Sequence, residues 1–139
     1  MTISLLDRRF AARPEHLGDI RRAVSEAARR AGCDDEETGD VVLAVDEACQ
    51  NVIRHGYGDA EGDVIVQMEI ADTSLIVRIT DFAPPVDADI LHPRPLYEMR
   101  PGGLGLHFIR SVMDDIAFLT PPEGAGNLLQ MIKHVGARA

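Results

Sequence analysis

The sequence predicts an α+β fold, a two-layer sandwich in which helices cover a mostly antiparallel sheet. Three observations lead there. Two helix-period segments follow one another at residues 14 to 31 and 34 to 55; a run rich in β-branched residues at 63 to 81 doubles back on a short turn; and two more apolar runs close the chain after residue 115. Strands are thus segregated from helices. A chain of 139 residues with 45% hydrophobic content is enough for one core and short for two ordinary domains, so one domain over residues 1 to 139 is expected.

Residues 3 to 11, ISLLDRRFA, alternate imperfectly and meet Pro14, which suits a first strand followed by a helix with proline in its first turn. In that helix Leu17, Ile20, Val24, Ala27 and Ala31 recur at helical steps, and Gly32 stands where a left-handed terminating residue is wanted. A second helix starts at Asp34, with Glu37 completing a capping box and the acidic run Asp34, Asp35, Glu36 and Glu37 favoured by the helix dipole. It should run to about His55. DVIVQMEIA, a turn at Asp72 and Thr73, and SLIVRITD then read as a hairpin. Pro84, Pro85, Pro93, Pro95 and Pro101 fall in an aperiodic segment, so residues 87 to 103 are expected to form a lid or binding loop. A third helix opens at Gly105 and turns Leu106, Ile109 and Val112 or Met113 inward. IAFLT, the turn PPEGAG and NLLQMIKHV supply the last two strands.

Composition excludes several classes. A net charge of -9 works against binding the phosphate backbone, so no direct nucleic-acid contact is expected. Aromatic content of 4% with no Trp offers no base-stacking platform. No segment approaches the roughly 20 apolar residues of a membrane span, and charges occupy the place of a signal peptide's apolar centre, so a cytoplasmic protein without a membrane partner is expected. Cys33 and Cys49 lack metal-ligand spacing and read as buried structural residues. His16, His55, His92, His107 and His134 are scattered, and neither a Ser-His-Asp or Cys-His arrangement nor the pattern G-x-x-x-x-G-K-[ST] is present.

Three features are suited to chemistry. At about 100° per residue, Val41, Val45, Ala48, Cys49, Val52 and Gly56 share one side of the second helix, while Glu47, Asn51 and Arg54 share the other, with Leu43 and Ala44 making that side partly apolar. Glu47 and Asn51 stack at i and i+4, where a carboxylate suits a general base and an amide oxygen suits Mg²⁺. Taken alone, the pair is also what a solvated helix face carries. Asp81 shares its strand face with Leu75, Val77 and Ile79; there its carboxylate needs a donor, such as an adenine amino group, unless the strand frays and the Asp merely starts the loop. Pro101, Gly102, Gly103, Leu104, Gly105 and Leu106 lead into a helix, a combination that suits phosphate and equally a plain structural turn.

In order and spacing these features resemble the GHKL superfamily of ATP-binding domains, to which gyrase, heat-shock chaperones and sensor histidine kinases belong. DEACQNVIRHGYG resembles its N box, DFAPPVD its first glycine box, PGGLGLHFIRSVMD its second, and GAGNLLQMIK its closing motif. The short chain and the style of the N box and the second glycine box are similar to the anti-sigma-factor serine kinases of stress response and sporulation. The resemblance implies a Bergerat-type fold with an ATP lid, Glu47 as general base, Asn51 on Mg²⁺, Asp81 on the adenine amino group, phosphates held at Gly103, Leu104, Gly105 and Leu106, Asn127 near adenine, and Arg100 on the terminal phosphate or a partner. One departure is Ala83, where the first glycine box usually has Gly; its methyl either crowds the adenine or reshapes the loop.

The activity so implied is ATP-dependent phosphorylation of a STAS-type anti-anti-sigma protein by an anti-sigma factor that also binds a sigma factor, with ATP and Mg²⁺ as cofactors and a homodimer allowed. Ala83 keeps a rival open, a non-catalytic nucleotide- or partner-binding module of the same fold. A third reading, a core cut from a larger histidine kinase, lacks the dimerisation helix with its acceptor histidine.

Overall fold

The computed structural model describes residues 1 to 85 and 103 to 136, with the backbone alone for residues 103 to 106. Strand β1 (Thr2–Ala11) leads through a 3-10 turn, Pro14–His16, into α1 (Leu17–Arg30). Gly32 then takes φ +93°, and Asp34 caps α2 (Asp35–Asn51) in the expected capping box: its side chain accepts from Glu37 N at 2.8 Å, and Glu37 Oε1 accepts from Asp34 N at 2.9 Å. β2 (Asp63–Ala71) and β3 (Ser74–Asp81) form the hairpin, with Asp72 at φ +55° in its turn, a conformation aspartate tolerates. α3 (Gly103–Val112), β4 (Asp115–Leu119) and β5 (Asn127–His134) complete the chain.

The strands form one sheet in the order β1-β2-β3-β5-β4, every neighbouring pair antiparallel. Alternation sends Val64, Val66 and Met68 of β2, Leu75, Val77 and Ile79 of β3, and Leu129 and Met131 of β5 into the core. There they meet Ile20, Val24 and Ala27 of α1, Val41, Val45 and Cys49 of α2, and Ile109 of α3. The helices therefore cover one face of the sheet, as expected. Register sets Asp81 opposite Asn127 on one side and opposite Val64 on the other. Among the described residues no helix is long and apolar enough to cross a membrane.

Three expectations need correction. The α-helical ladder of α2 stops at Asn51, not near His55, and the chain continues as a π-helix, Val52–Tyr57, whose wider turns alter which side chains share a face. Ala44 does not belong to the side of Glu47; it is fully buried in the core, while Leu43 is exposed. α3 opens at Gly103 rather than Gly105, because packing of Ile109 and Met113 outweighs the poor helix propensity of two glycines. The expected lid, residues 87 to 103, lies outside the described residues except for Gly103, as do Gly102 and Arg100.

Candidate functional site

On α2, Glu47 and Asn51 are half-buried, and among the described residues neither side chain makes a hydrogen bond or an ion pair. Their neighbours are differently placed. Asp46 accepts from Arg21 Nη1 at 2.8 Å and from Gln50 Nε2 at 2.7 Å, and Gln50 in turn accepts from the exposed Arg54. The polar row Asp46, Gln50 and Arg54 is therefore satisfied internally, while the adjacent row of Glu47 and Asn51, one helical turn apart, keeps its oxygens unspent. Arg54, expected beside that pair, is tied to Gln50 instead.

Asp81 does not fray from its strand. It is 6% exposed and keeps its place in the ladder opposite Asn127. Asn127, also 6% exposed, donates from Nδ2 to Asp81 Oδ1 at 2.9 Å and to the Pro84 carbonyl at 3.1 Å; Ala83 N donates to the same Oδ1 at 3.0 Å. Both donors thus converge on one carboxylate oxygen. Among the described residues no donor reaches Oδ2, and Thr38 Oγ1 alone is a fully sealed side-chain polar atom without a partner, so Oδ2 is neither bonded by these residues nor fully sealed by them. Burial pushes the Asp81 carboxyl above its ordinary range, against the opposing pull of the bonds from Asn127 and Ala83.

The segment after Asp81 is held by close backbone contact. Gly126 N donates to the Asp81 carbonyl at 2.8 Å, and a Cβ at Gly126 would lie 1.7 Å from the Ala83 oxygen, so only glycine lets β5 start here. Ala83 is buried at 3% exposure with its methyl toward the end of the α2 segment, where a Cβ on Gly56 would approach it to 3.1 Å. The space for the extra methyl comes from Gly56. Sequence reasoning missed Tyr57, whose hydroxyl donates to the Asp63 carbonyl at 2.7 Å and accepts from Phe82 N at 2.8 Å. Its signal was faint: a tyrosine just past a helix, whose hydroxyl needs a partner if half-buried.

α3 begins with Gly103, Leu104, Gly105 and Leu106, the residues expected to hold phosphate, and packs against α2. Amides in a first helical turn lack intrahelical partners and carry partial positive charge. Cys33 and Cys49 are free and buried, and the Cys49 thiol is pushed up to about 12 by burial and then by the charge of Asp46, so it is no nucleophile at neutral pH. Among the described residues no group of three or more His, Cys, Asp or Glu could hold a metal ion by itself.

Residues 10–133 match the histidine kinase-like ATPase domain family. The serine-protein kinase RsbW of Bacillus pumilus is 30% identical over 126 residues, covering 83% of this chain and 78% of that one. The protein of the same name from Listeria innocua is 34% identical over 114 residues, covering 76% and 73%. Among solved structures, the RsbU and RsbW domains of Rv1364c from Mycobacterium tuberculosis superpose with a TM-score of 0.67 at 16% identity; the match takes in 94% of this chain but only 31% of that longer one, and bears on the fold alone. With the family match running from the end of β1 to the last residues of β5, and relatives at this identity aligned over most of both chains, the chain belongs to the histidine kinase-like ATPase domain family, in its RsbW serine-protein kinase branch.

Proposed function

We propose that the protein is an ATP-dependent protein serine kinase that binds a sigma factor as an anti-sigma factor and phosphorylates a serine of a STAS-type anti-anti-sigma protein. The observation that carries this reading is Asp81: a buried carboxylate with Oδ1 saturated by Asn127 and Ala83 and Oδ2 left for one more donor. The exocyclic amino group of adenine is such a donor, whereas the carbonyl of guanine would face the carboxylate as a second acceptor. Asn127 acts by fixing Asp81.

Phosphoryl transfer asks a protein mainly for positioning and charge neutralisation. Asn51 offers an unspent amide oxygen, a hard ligand that fits Mg²⁺, and the ion when bound neutralises phosphate charge. Glu47, one turn earlier, has an unengaged carboxylate with which to take the proton of the attacking serine hydroxyl. The amides opening α3, at Gly103, Leu104, Gly105 and Leu106, would receive phosphate oxygens. Ala83 fits this reading because its methyl occupies room left by Gly56.

Calorimetric titration with ATP and Mg²⁺ tests the site. The parent should bind, and Asp81→Asn, which keeps the shape but puts an amide in place of the carboxylate, should bind about 1.5 to 3 kcal/mol more weakly. Equal affinity in parent and variant would remove Asp81 from base recognition.

A further inference from the structure

The register of the β2–β3 ladder ends with Val64 opposite Asp81, so the next rung would pair Asp63 with Phe82. That rung is made by a side chain. Tyr57 Oη donates to the Asp63 carbonyl at 2.7 Å and accepts from Phe82 N at 2.8 Å, standing between the two backbone groups. The ring is itself confined, since a Cβ at Gly62 would fall 2.1 Å from its Cε1. Around it, Arg9 pairs with Asp63 at 2.7 Å and lies 4.9 Å over the Phe82 ring.

Tyr57 ends the π-helix that continues directly from α2, and Phe82 lies between Asp81 and Ala83. A bond to Phe82 N therefore fixes the backbone at the point where it turns so that Ala83 N can reach back to Asp81 Oδ1. We propose that Tyr57 is a positioning residue for base selection: its hydroxyl locks the chain after Asp81 so that Oδ1 stays occupied and Oδ2 faces the incoming amino group. This rests on the reading of Asp81 as the adenine contact. It also joins the two halves of the site, because the helical segment that carries Glu47 and Asn51 ends on the side chain that sets the backbone beside Asp81. Proximity shows in the Tyr57 phenol, pushed above its ordinary range by burial first and also by the charge of Asp81.

The test is Tyr57→Phe, which keeps the ring against Gly62 and removes only the hydroxyl. Affinities for ATP and GTP are measured on the parent, Tyr57→Phe and Asp81→Asn, with amide hydrogen exchange on the nucleotide-free proteins. Loss of the two bonds should reduce the preference for ATP over GTP about tenfold, mostly through weaker ATP binding. Exchange should quicken at Phe82 and Ala83 while the α1 and α2 amides stay as in the parent. A general loss of packing would instead weaken both nucleotides alike and speed exchange throughout, and that pattern overturns the proposal. So does a Tyr57→Phe protein that keeps the parent's full preference while Asp81→Asn loses it, in which case the reading of Asp81 stands. A parent that binds neither nucleotide overturns both.

Discussion

Asp81 carries a raised carboxyl pKa because burial outweighs the two hydrogen bonds that favour its charge. A group whose folded pKa is raised contributes stability that is fully present below its unfolded value, about 3.9 for aspartate, and is lost as pH rises through the folded value. At pH 7, well above the unfolded value, the buried carboxyl is therefore a net burden on the nucleotide-free protein. Asp81→Asn removes the charge and keeps an oxygen for Asn127 and Ala83, so its Tm should exceed the parent's at pH 7. The gap should narrow as pH falls toward about 4, and thermal scans across that range check the sign. Strand alternation alone puts Asp81 on the buried face, which is why it is legible in the sequence; the competing expectation, a frayed strand end, fails because Asn127 and Gly126 bind its side chain and backbone. Tyr57 is not legible in the same way. Its role depends on the register between β2 and β3 and on where a helix ends, neither of which a local pattern encodes.

The elements meet at a few polar contacts between layers. Lys133 of β5 donates to the Val112 carbonyl at the end of α3 at 2.7 Å and pairs with Asp40 of α2 at 3.2 Å, with its side chain only 13% exposed. One ammonium thus ties the sheet to two helices. Lys133→Met should cost about 2 kcal/mol, since it leaves a half-buried carboxylate unpaired and a helix-end carbonyl without its donor, and denaturant titration reads the loss. The capping box at Asp34 and Glu37 and the hairpin turn at Asp72 are legible because their signals are local: specific residue types at fixed offsets. The end of α2 is not. A hydrophobic period cannot tell an α-helix from a π-helix one turn long, and here the π-helix ends on Tyr57, whose hydroxyl reaches the backbone at the ends of β2 and β3. The start of α3 was displaced for another reason: glycine propensity is a local quantity, whereas burial of Ile109 and Met113 against α2 belongs to the assembled fold.

Across the whole molecule, one side of the sheet collects the proposed chemistry. α2 brings Glu47 and Asn51, the ends of β3 and β5 bring Asp81 and Asn127, and α3 begins with the glycine-rich turn. Three sequence signals that are individually ambiguous thus fall on elements joined by one core, and their order along the chain carries the family resemblance. The acidic surface, with a net charge of -9, is suited to partners other than nucleic acid. The proposed function requires phosphoryl transfer by this assembly. Its most direct test is incorporation of labelled phosphate from ATP into a purified STAS-type antagonist, measured beside complex formation for the parent and Glu47→Ala. Transfer by the parent is expected, with unchanged antagonist binding and transfer slowed about 10² to 10⁴-fold in the variant, because a general base contributes to the rate and not to docking. A parent that binds both ATP and the antagonist yet leaves every serine unmodified would contradict the proposed function.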